Sequence, residues 1–355
     1  MQLIEVKQVE LEITSYCNAV CPGCPRTIIN NNPNKILPLN NITFLNLKNW
    51  MPCVKILNPK NWKFSGNLGD PIVNPDLLNI VEFLSKNYGN NIHIHTNGGV
   101  RKYNFWKELA KLSKYGKENN KFNLIVRWAI DGLENTNHIY RVNVNFDSVM
   151  QNLETYLKWG GLAEWHFICF EHNEHQLNEI KDLAKSKNMK FVLRKATRNY
   201  QPYVNKENIV INNSVKIQHN KTDIYKKLSN AYKGVINKSN STCSKKYKEI
   251  LDTYSTSVKC MHLKQKQIFI ASNQTLWPCC MLWDELIQKN NKMENSLPIN
   301  TNWNNLEKFT MQEILTSDYY KNIDQLWNKN NSKFTPRCVK SCAEQGKFAT
   351  QFVNL

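Results

Sequence analysis

The sequence predicts an α/β fold, in which a partial (β/α)6 barrel of parallel strands is followed by a small α+β domain. Short apolar runs rich in β-branched and aromatic residues recur from residue 9 to residue 193, as expected of strands. Stretches with helical periodicity separate these runs. Because parallel strands need a crossover between them, the alternation predicts a sheet of βα units that closes fully or partly into a barrel.

Each element is predicted from its own local pattern. Six strands are expected, at Val9–Ile13, Trp62–Phe64, Ile92–His95, Leu124–Ile130, Trp165–Phe170 and Lys190–Leu193. Three helices between them have apolar faces, within Leu77–Leu84, Phe146–Leu157 and Leu177–Ala184. Farther along, we expect a hairpin of Gln267–Ala271 and Thr275–Trp277 around a polar turn, and then a helix at Met311–Trp327.

This pattern divides the chain into three parts. Residues 1–198 are expected to form the barrel, and residues 259–355 a small domain whose thin core a metal site would stabilise. Residues 199–258 are rich in Asn, Lys and Ser. They predict a polar linker with one helical candidate at Ile224–Ile236.

The composition of the 355 residues favours a cytoplasmic protein. The sequence has no apolar run near the roughly 18 residues that cross a bilayer, and its first residues lack the pattern of a signal peptide. The net charge of +18 suggests a basic surface that binds RNA. However, the lysines are scattered, and arginine, the better phosphate ligand, is scarce, so nucleic acid is not the expected partner.

Eleven cysteines are many for such a chain, and most of them cluster. Three lie near the start, at Cys17, Cys21 and Cys24, and five near the end, at Cys260, Cys279, Cys280, Cys338 and Cys342. Clustered thiols in a chain without a signal peptide indicate metal rather than disulfides. The isolated cysteines, Cys53, Cys169 and Cys243, are expected to be small apolar side chains.

The first cluster has the spacing C-x3-C-x2-C and directly follows the first predicted strand. Three thiolates can bind three irons of a [4Fe–4S] cubane and leave the fourth iron open to another ligand. A structural zinc ion normally takes four ligands, and Cys53 lies too far along the chain, beside a proline, to be an obvious fourth. The ligand count therefore favours an iron–sulfur cluster over a zinc knuckle.

This motif, at the end of the first strand of a βα barrel, resembles that of the radical S-adenosylmethionine (SAM) superfamily. The resemblance implies that Cys17, Cys21 and Cys24 hold the cluster and that SAM binds to its open iron. Electron transfer into the sulfonium would give methionine and a 5′-deoxyadenosyl radical, which abstracts a hydrogen atom from a substrate. The protein would bind and orient the cofactor that carries this chemistry.

Three later segments, each at the end of a predicted strand, are similar to SAM-binding segments of that superfamily. Ligands bind at these strand ends in parallel α/β folds. Glycines allow the backbone to approach a ligand closely, and a carboxylate pairs with an ammonium group. The resemblance implies eight SAM-binding residues, which are Gly66, Asn67, Gly69, Asp70, Thr96, Asn97, Asp131 and Arg141.

The second set of cysteines resembles the auxiliary-cluster module called SPASM or, in its shortened form, twitch. The segment from Asn273 to Cys280 is similar to the hairpin of that module. The resemblance implies a second, auxiliary [4Fe–4S] cluster, for which the expected ligands are Cys260, Cys279, Cys338 and Cys342, with Cys280 as the alternative to Cys279. Four thiolates also suit a zinc ion, so zinc remains an alternative.

The resemblance implies a radical SAM oxidoreductase or maturase that receives electrons from a reductant such as flavodoxin or ferredoxin. Its substrate is a small molecule that is dehydrogenated, or a peptide or protein that is modified. The first predicted strand begins close to the start of the sequence, and only one auxiliary cluster is expected. Both observations favour a small-molecule substrate over a peptide. Two other functions remain open, a zinc-dependent basic RNA-binding protein and a non-catalytic iron–sulfur electron carrier.

Further polar residues follow the last two predicted strands of the barrel. Glu171, His172, Asn173, Glu174 and His175 follow the fifth strand, and Arg194 and Lys195 end the sixth. At the mouth of a barrel such side chains would contact SAM or substrate. Alternatively, the first group begins a solvated helix for which Asn173 is the N-cap.

Overall fold

A computed structural model describes residues 5–30, 37, 39–88, 91–195, 258–283, 301–323, 338 and 342. The predicted linker lies outside these residues except for its last position, and the helical candidate at Ile224–Ile236 lies outside them entirely. Within the described residues, no helix combines the length and the apolar character that a membrane span needs.

Eight strands form one sheet. They are β1 (Gln8–Leu11), β2 (Asn61–Phe64), β3 (Asn91–Thr96), β4 (Asn123–Ala129), β5 (Leu162–Cys169), β6 (Lys190–Lys195), β7 (Gln267–Ile270) and β8 (Leu276–Trp277). Their order across the sheet is β6-β5-β4-β3-β2-β1-β7-β8. All neighbours pair in parallel except β7 and β8, which are antiparallel. The six predicted barrel strands are confirmed, with ends that differ by a few residues.

Every crossover between the parallel strands β1 to β6 contains at least one helix, as parallel pairing requires. The described helices of this part are α1 (Pro25–Asn30), α2 (Phe44–Leu57), α3 (Leu77–Tyr88), α4 (Tyr103–Glu118), α5 (Glu134–Tyr140), α6 (Phe146–Lys158) and α7 (Leu177–Ser186). The predicted apolar faces are the buried faces of α3, α6 and α7.

The parallel strands present different side chains on their two faces. In β3, the buried Ile92 and Ile94 alternate with the half-buried His93 and His95, because successive side chains of a strand point to opposite faces. A parallel sheet covered on both faces would instead have nearly continuous apolar strands. The alternation therefore gives the sheet an apolar face towards the helices and a polar face on its other side.

The apolar face of the sheet packs against the helices to form the core. Trp106 of α4 lies beside Trp128 of β4 with ring centroids 4.7 Å apart. Tyr156 of α6 contacts both indoles, at 6.3 and 6.1 Å. All three side chains are fully buried, so this aromatic cluster joins two helices to the centre of the sheet.

The hairpin predicted in the C-terminal part forms, and it extends the sheet of the barrel. β7 pairs in parallel with β1 in continuous register, from Gln267 opposite Gln8 to Ile270 opposite Leu11, and β8 returns antiparallel to β7. In the turn, Gln274 has a φ of 65°, a conformation in which glycine is usual. The barrel and the C-terminal hairpin therefore share one sheet.

The single helix predicted at Met311–Trp327 is wrong. Within the described residues, two short helices, Met311–Leu315 and Asp318–Lys321, take its place. The break lies at Thr316 and Ser317, where Ser317 has an extended backbone with φ −64° and ψ 159°. Ser and Thr side chains favour caps over helix interiors, so the apolar periodicity alone overestimated the helix.

We expect Trp128→Ala to lower the free energy of unfolding by about 3–5 kcal/mol, because it removes a fully buried indole from the core. Leu45→Ala is the control, since Leu45 on α2 is 67% exposed and its truncation should cost less than about 0.5 kcal/mol. Urea unfolding followed by circular dichroism measures both values. Equal losses would contradict the assignment of the aromatic cluster to the core.

Candidate active site

The carboxyl ends of the parallel strands surround a cavity of about 280 Å³, which we call the barrel cavity. Its lining includes the three thiols of the first cluster, Cys17, Cys21 and Cys24, together with Gly66, Asn67, Gly69, Asp70, Thr96, Asn97 and Arg141. The structure thus brings together all of the predicted ligands of the first cluster and seven of the eight residues implied for SAM.

The cysteine loop between β1 and α1 folds back on itself. The Cys24 N–H donates to the carbonyl of Cys21 at 2.9 Å, and α1 begins at Pro25, since proline suits the first position of a helix. Burial raises the pKa of the Cys21 thiol to about 11 and that of Cys17 well above its ordinary value. Thiolates at this depth need a compensating cation. The Arg141 guanidinium lies 3.6 Å from the Cys21 sulfur and supplies part of this positive charge.

The loop after β2 packs so closely that two of its residues must be glycine. A Cβ atom on Gly66 would lie 1.6 Å from the carbonyl oxygen of Gly69. A Cβ atom on Gly69 would lie 2.0 Å from the carbonyl oxygen of Thr14, just before the cysteine loop. A side chain at Gly66 would distort the β2 loop itself, and one at Gly69 would force this loop away from the loop that carries the thiols.

The Asp70 carboxylate connects the β2 loop to the end of β3. Its Oδ2 accepts hydrogen bonds from the backbone and side-chain amides of Asn97, both at 2.7 Å, and from the Thr96 hydroxyl at 3.1 Å. Its Oδ1 accepts the N–H of Ile72 at 3.2 Å. Burial raises the pKa of Asp70 to about 6. Asp70 therefore orders Thr96 and Asn97 as well as lining the cavity itself.

A second buried carboxylate, Glu12, holds the same loop from behind. Its Oε1 accepts the backbone N–H groups of Asn67 and Leu68, both at 2.7 Å. Its Oε2 accepts the indole N–H of Trp283, in the C-terminal part, at 3.2 Å. Glu12 is fully buried, and burial raises its pKa to about 7. One side chain thus joins β1, the β2 loop and the C-terminal part.

Asp131 is the one residue implied for SAM that does not line the cavity. It is fully buried, and its Oδ2 accepts both Nε and a terminal amine of Arg141 at 2.7 Å. Its Oδ1 accepts the N–H of Ile168 at 2.6 Å. Because two nitrogens of the guanidinium donate to this one buried oxygen, the charge-assisted pair restricts the position of the Arg141 side chain. Asp131 therefore positions Arg141, which does line the cavity.

The other polar residues of the lining include four charged or imidazole side chains, at His95, Arg127, His166 and Arg194. Arg194 was a candidate from its place at the end of a strand, whereas the sequence analysis assigned no ligand role to the other three. The sequence feature that could have identified these residues is the alternation of polar and apolar side chains along strands that pair in parallel. The side chain of Lys195 lies outside the described set.

The structure favours the second of the two expectations for residues 171–175, because Glu171, Glu174 and His175 are exposed and a helical segment begins at Glu174. None of these five lines the barrel cavity in the described structure. Asn173 precedes a short 3-10 helix but makes no side-chain cap. Its buried amide instead donates to the carbonyl of Asp131 at 2.7 Å and accepts the N–H of Phe170 at 2.7 Å, so it braces the loop that contains Asp131.

A second cavity, of about 300 Å³, lies beside β7 and is lined by all four thiols predicted for the second site, Cys260, Cys279, Cys338 and Cys342. Most of its other lining is apolar and includes Ile268, Leu282 and Tyr320. Cys280 does not line this cavity. Its carbonyl instead accepts the side-chain amide of Asn67 at 2.8 Å, so Cys279 is the better placed of the two neighbours.

Among the described residues, no group of three or more His, Cys, Asp or Glu side chains is arranged to hold a metal ion as it stands. Each set of thiols is therefore defined by the cavity that its members share. A cubane spreads its cysteines over separate irons, whereas a single zinc ion draws every thiolate to about 2.3 Å. The donor sets, three thiols in one cavity and four in the other, fit the two predicted clusters in number and type.

Comparisons with known proteins give likeness in structure alone. No family model and no curated protein matches the chain. SuiB of Streptococcus suis, solved bound to S-adenosylmethionine, is 14% identical with a TM-score of 0.58, over 91% of this chain and 68% of SuiB. The protein anSMEcpe with bound AdoMet is 15% identical with a TM-score of 0.53, over 98% of this chain and 93% of its own.

A second structure of anSMEcpe, with bound AdoMet and Cp18Cys peptide, has a TM-score of 0.51 at 15% identity, over 98% of this chain and 92% of its own. Likeness at such identities shows a shared fold. It confirms the predicted fold, a partial barrel of parallel strands with an added C-terminal part, which is the fold that the resemblance to radical SAM enzymes implied.

We expect Glu12 to make the stability of the protein fall as pH rises. Its pKa of about 7 in the folded chain exceeds the ordinary 4.5, so folding takes up a proton. The resulting stabilisation is complete below about pH 4.5 and is lost as pH rises through 7, by up to ~3 kcal/mol.

Urea unfolding at pH 5.5 and 7.5 tests this expectation on the wild type and on Glu12→Gln, which cannot titrate. The loss of stability between the two pH values should be smaller in the variant. Glu118→Gln, at the exposed end of α4, is the matched control and should behave as the wild type does. The same loss in all three proteins would show that Glu12 stays ionised throughout.

Proposed function

We propose that this chain is a radical SAM enzyme, in which a [4Fe–4S] cluster held by Cys17, Cys21 and Cys24 cleaves SAM reductively. The bound cofactors would supply a 5′-deoxyadenosyl radical that abstracts hydrogen from the substrate. The observation that carries the proposal is the barrel cavity, where the three thiols meet seven of the residues implied for SAM. The fold shared with two proteins solved with bound S-adenosylmethionine supports it.

The residues of the barrel cavity have complementary roles towards SAM. Arg141, held by Asp131, would bind the carboxylate of SAM through its guanidinium fork. Asp70 offers a carboxylate to the amino group. Gly66 and Gly69 keep the β2 loop close enough for backbone contacts.

Three polar residues would complete this pocket at its edges. Thr96 and Asn97 are held by Asp70 at the end of β3 and line the barrel cavity, where they would contact SAM. The side-chain amide of Asn97 also donates a hydrogen bond to Oδ1 of Asn18, in the cysteine loop, at 3.0 Å. Asn67 would keep the β2 loop in place, because its backbone N–H donates to Glu12.

We assign the second cavity to an auxiliary [4Fe–4S] cluster with the ligands Cys260, Cys279, Cys338 and Cys342. All four thiols line this one cavity, and four thiolates saturate a cubane. Zinc remains the alternative occupant, since it also accepts four thiolates. The proposal prefers Cys279 to Cys280 because only Cys279 lines the cavity.

The reaction needs an electron donor and a substrate. We place it in the cytoplasm with a reductant such as flavodoxin or ferredoxin, because clustered thiols suit a reducing compartment. The substrate is a small molecule or a peptide. The fold shared with anSMEcpe, which was solved with a bound peptide, supports the hypothesis of a peptide substrate.

The proposal predicts that the anaerobically purified, reconstituted protein forms 5′-deoxyadenosine from SAM and dithionite. Alanine at Cys17, Cys21 or Cys24 should abolish this product, because each removes one of three cluster ligands. Cys53→Ala is the control, since Cys53 lies on α2 away from both cavities, and it should leave the product unchanged. The measurement is chromatographic quantification of 5′-deoxyadenosine.

The other outcomes are informative. Colourless protein that contains zinc, cleaves no SAM and binds RNA with strong salt dependence would replace the proposal with a nucleic-acid function. Iron-containing protein that cleaves no SAM under these conditions would instead indicate an electron carrier.

The second site makes a separate prediction. Cys279→Ala should lose the iron of one cubane, about four of eight atoms per chain, whereas Cys280→Ala should keep it. Iron, sulfide and zinc analysis of the reconstituted proteins measures the difference. Loss of iron in Cys280→Ala alone would reverse the ligand assignment, and stoichiometric zinc in the wild type would replace the auxiliary cluster.

A further inference from the structure

Arg141 lies between a buried carboxylate and the sulfur atom of a predicted cluster ligand. Its Nε and Nη2 both donate to Asp131 Oδ2 at 2.7 Å, and its Nη1 donates to the Cys21 sulfur at 3.6 Å. A guanidinium has five N–H donors, of which Asp131 takes two and Cys21 takes one. The other two remain for the carboxylate of SAM, so the cluster contact and the SAM contact do not compete.

The other two thiols of the cysteine loop have uncharged groups in contact with their sulfur atoms. Cys17 accepts the backbone N–H of Ala19 at 3.3 Å. The sulfur of Cys24 lies 3.7 Å from the carbonyl oxygen of Asn67. The guanidinium at Cys21 therefore brings a full positive charge to one particular corner of the predicted cluster.

Two carboxylates lie near the same loop. Asp131 is paired with Arg141, as described. Asp70 lines the barrel cavity, and burial, followed by the charge of Asp70, raises the pKa of Cys17. These carboxylates together outnumber the guanidinium, so the loop has no excess of positive charge. What distinguishes Arg141 from both is its direct contact with a sulfur atom that would bind iron.

The other two arginines that line the barrel cavity have partners on neighbouring strands. Arg127 Nε donates to Glu164 Oε2 at 2.8 Å, and Arg194 Nε donates to His166 Nδ1 at 3.0 Å. His166 Nε2 in turn donates to Glu164 Oε2 at 2.9 Å. These contacts hold both side chains to the sheet, whereas Arg141 is held against the cysteine loop.

The contact between Arg141 and Cys21 is shielded from water. Cys21 is buried, and the side chains of Arg141 and Asp131 are 15% and 0% exposed. Charges in such surroundings are screened much less than exposed charges. Reduction adds one negative charge to a cluster, and hydrogen bonds to the cluster sulfurs help to set its reduction potential. A cationic donor at Cys21 therefore stabilises the reduced form more than the oxidised form.

We propose that Arg141 raises the reduction potential of the [4Fe–4S] cluster through its hydrogen bond and charge at Cys21. Asp131 is the positioning residue that holds the guanidinium there. The inference rests on the proposed function, because it concerns the cluster that this function requires. In the redox step one electron passes from a low-potential reductant to the cluster, and no bond to the protein forms or breaks.

The test measures the reduction potential in reconstituted protein without SAM, so that altered SAM binding cannot affect the result. Dithionite and redox mediators set the potential, and electron paramagnetic resonance measures the reduced cluster. The relevant signal is the one that Cys17→Ala lacks. We expect Arg141→Gln to lower the ratio of reduced to oxidised cluster at a given potential about tenfold, which is about 59 mV for one electron.

Glutamine suits this test because its amide nitrogen takes the chain position of the arginine Nε. It can still reach Asp131, but it lacks the Nη1 that contacts Cys21. Lys181→Gln is the control, since it removes a positive charge from an exposed position on α7, and it should leave the ratio within about twofold of wild type.

If Arg141→Gln binds no iron at the first site, Arg141→Lys carries the test. Lysine keeps the charge but not the guanidinium fork. The ratio of reduced to oxidised cluster should therefore fall by less than in the glutamine variant, yet by more than about twofold.

A double variant separates Arg141 from its partner, because Arg141→Gln alone leaves the charge of Asp131 unpaired. Arg141→Gln combined with Asp131→Asn removes both charges, while Asp70 is unchanged in every protein compared. The ratio should still fall by more than about twofold, since the bond to Cys21 is lost. A double variant within about twofold of wild type would assign the effect to the bare carboxylate of Asp131 and overturn the role of Arg141.

A ratio within about twofold of wild type in the single variant that carries the test would also overturn this role. 5′-Deoxyadenosine is measured in the same wild-type preparation. SAM cleavage together with an unchanged potential in the variants refutes the role of Arg141 alone. A potential that shifts as expected, in a protein whose wild type cleaves no SAM, refutes the proposed function alone.

Discussion

The register of the parallel strands is the constraint on which both the core and the barrel cavity depend. Val9, Trp62, Ile92 and Leu124 are successive partners across β1 to β4, and all are buried on the helix side. Since side chains alternate with a period of two, a slip of one residue would exchange the faces. In β4 it would send Trp128 into the cavity and Arg127 into the core. The cost of burying Arg127 there therefore enforces the register.

Local signals in the sequence were sufficient to predict the barrel strands, the glycines of the β2 loop and the two sets of thiols. Such features depend on neighbours in the chain, so they can be recognised without knowing the fold. The roles of Arg127, Glu164 and His166 could not be predicted in the same way, because they depend on the register of strands far apart in sequence. For the same reason the motif suggested a SAM contact for Asp131, whereas its neighbours enclose it.

The two sets of cysteines resemble separate modules, yet their surroundings are mechanically joined. β7 adds directly to β1, and the β2 loop is held from both sides. Glu12 binds its backbone together with Trp283 of the C-terminal part, and Asn67 donates to the carbonyl of Cys280. Cys280 is adjacent to Cys279, which lines the second cavity. A peptide unit and one hydrogen bond therefore connect the lining of the second cavity to the β2 loop, which lines the barrel cavity.

The positions of arginine and lysine in this chain differ in a way that the net charge does not show. Lysine is the common cation of the sequence, and only seven arginines occur in 355 residues. Three of them, Arg127, Arg141 and Arg194, line the barrel cavity. A lysine would supply the charge but not the planar fork that fixes a carboxylate. Arg141 is held by Asp131 and Arg127 by Glu164, whereas Arg194 donates to His166. Each of the three guanidinium groups at the cavity is therefore fixed by a polar partner, and a flexible ammonium group on a lysine could not keep such a fixed plane.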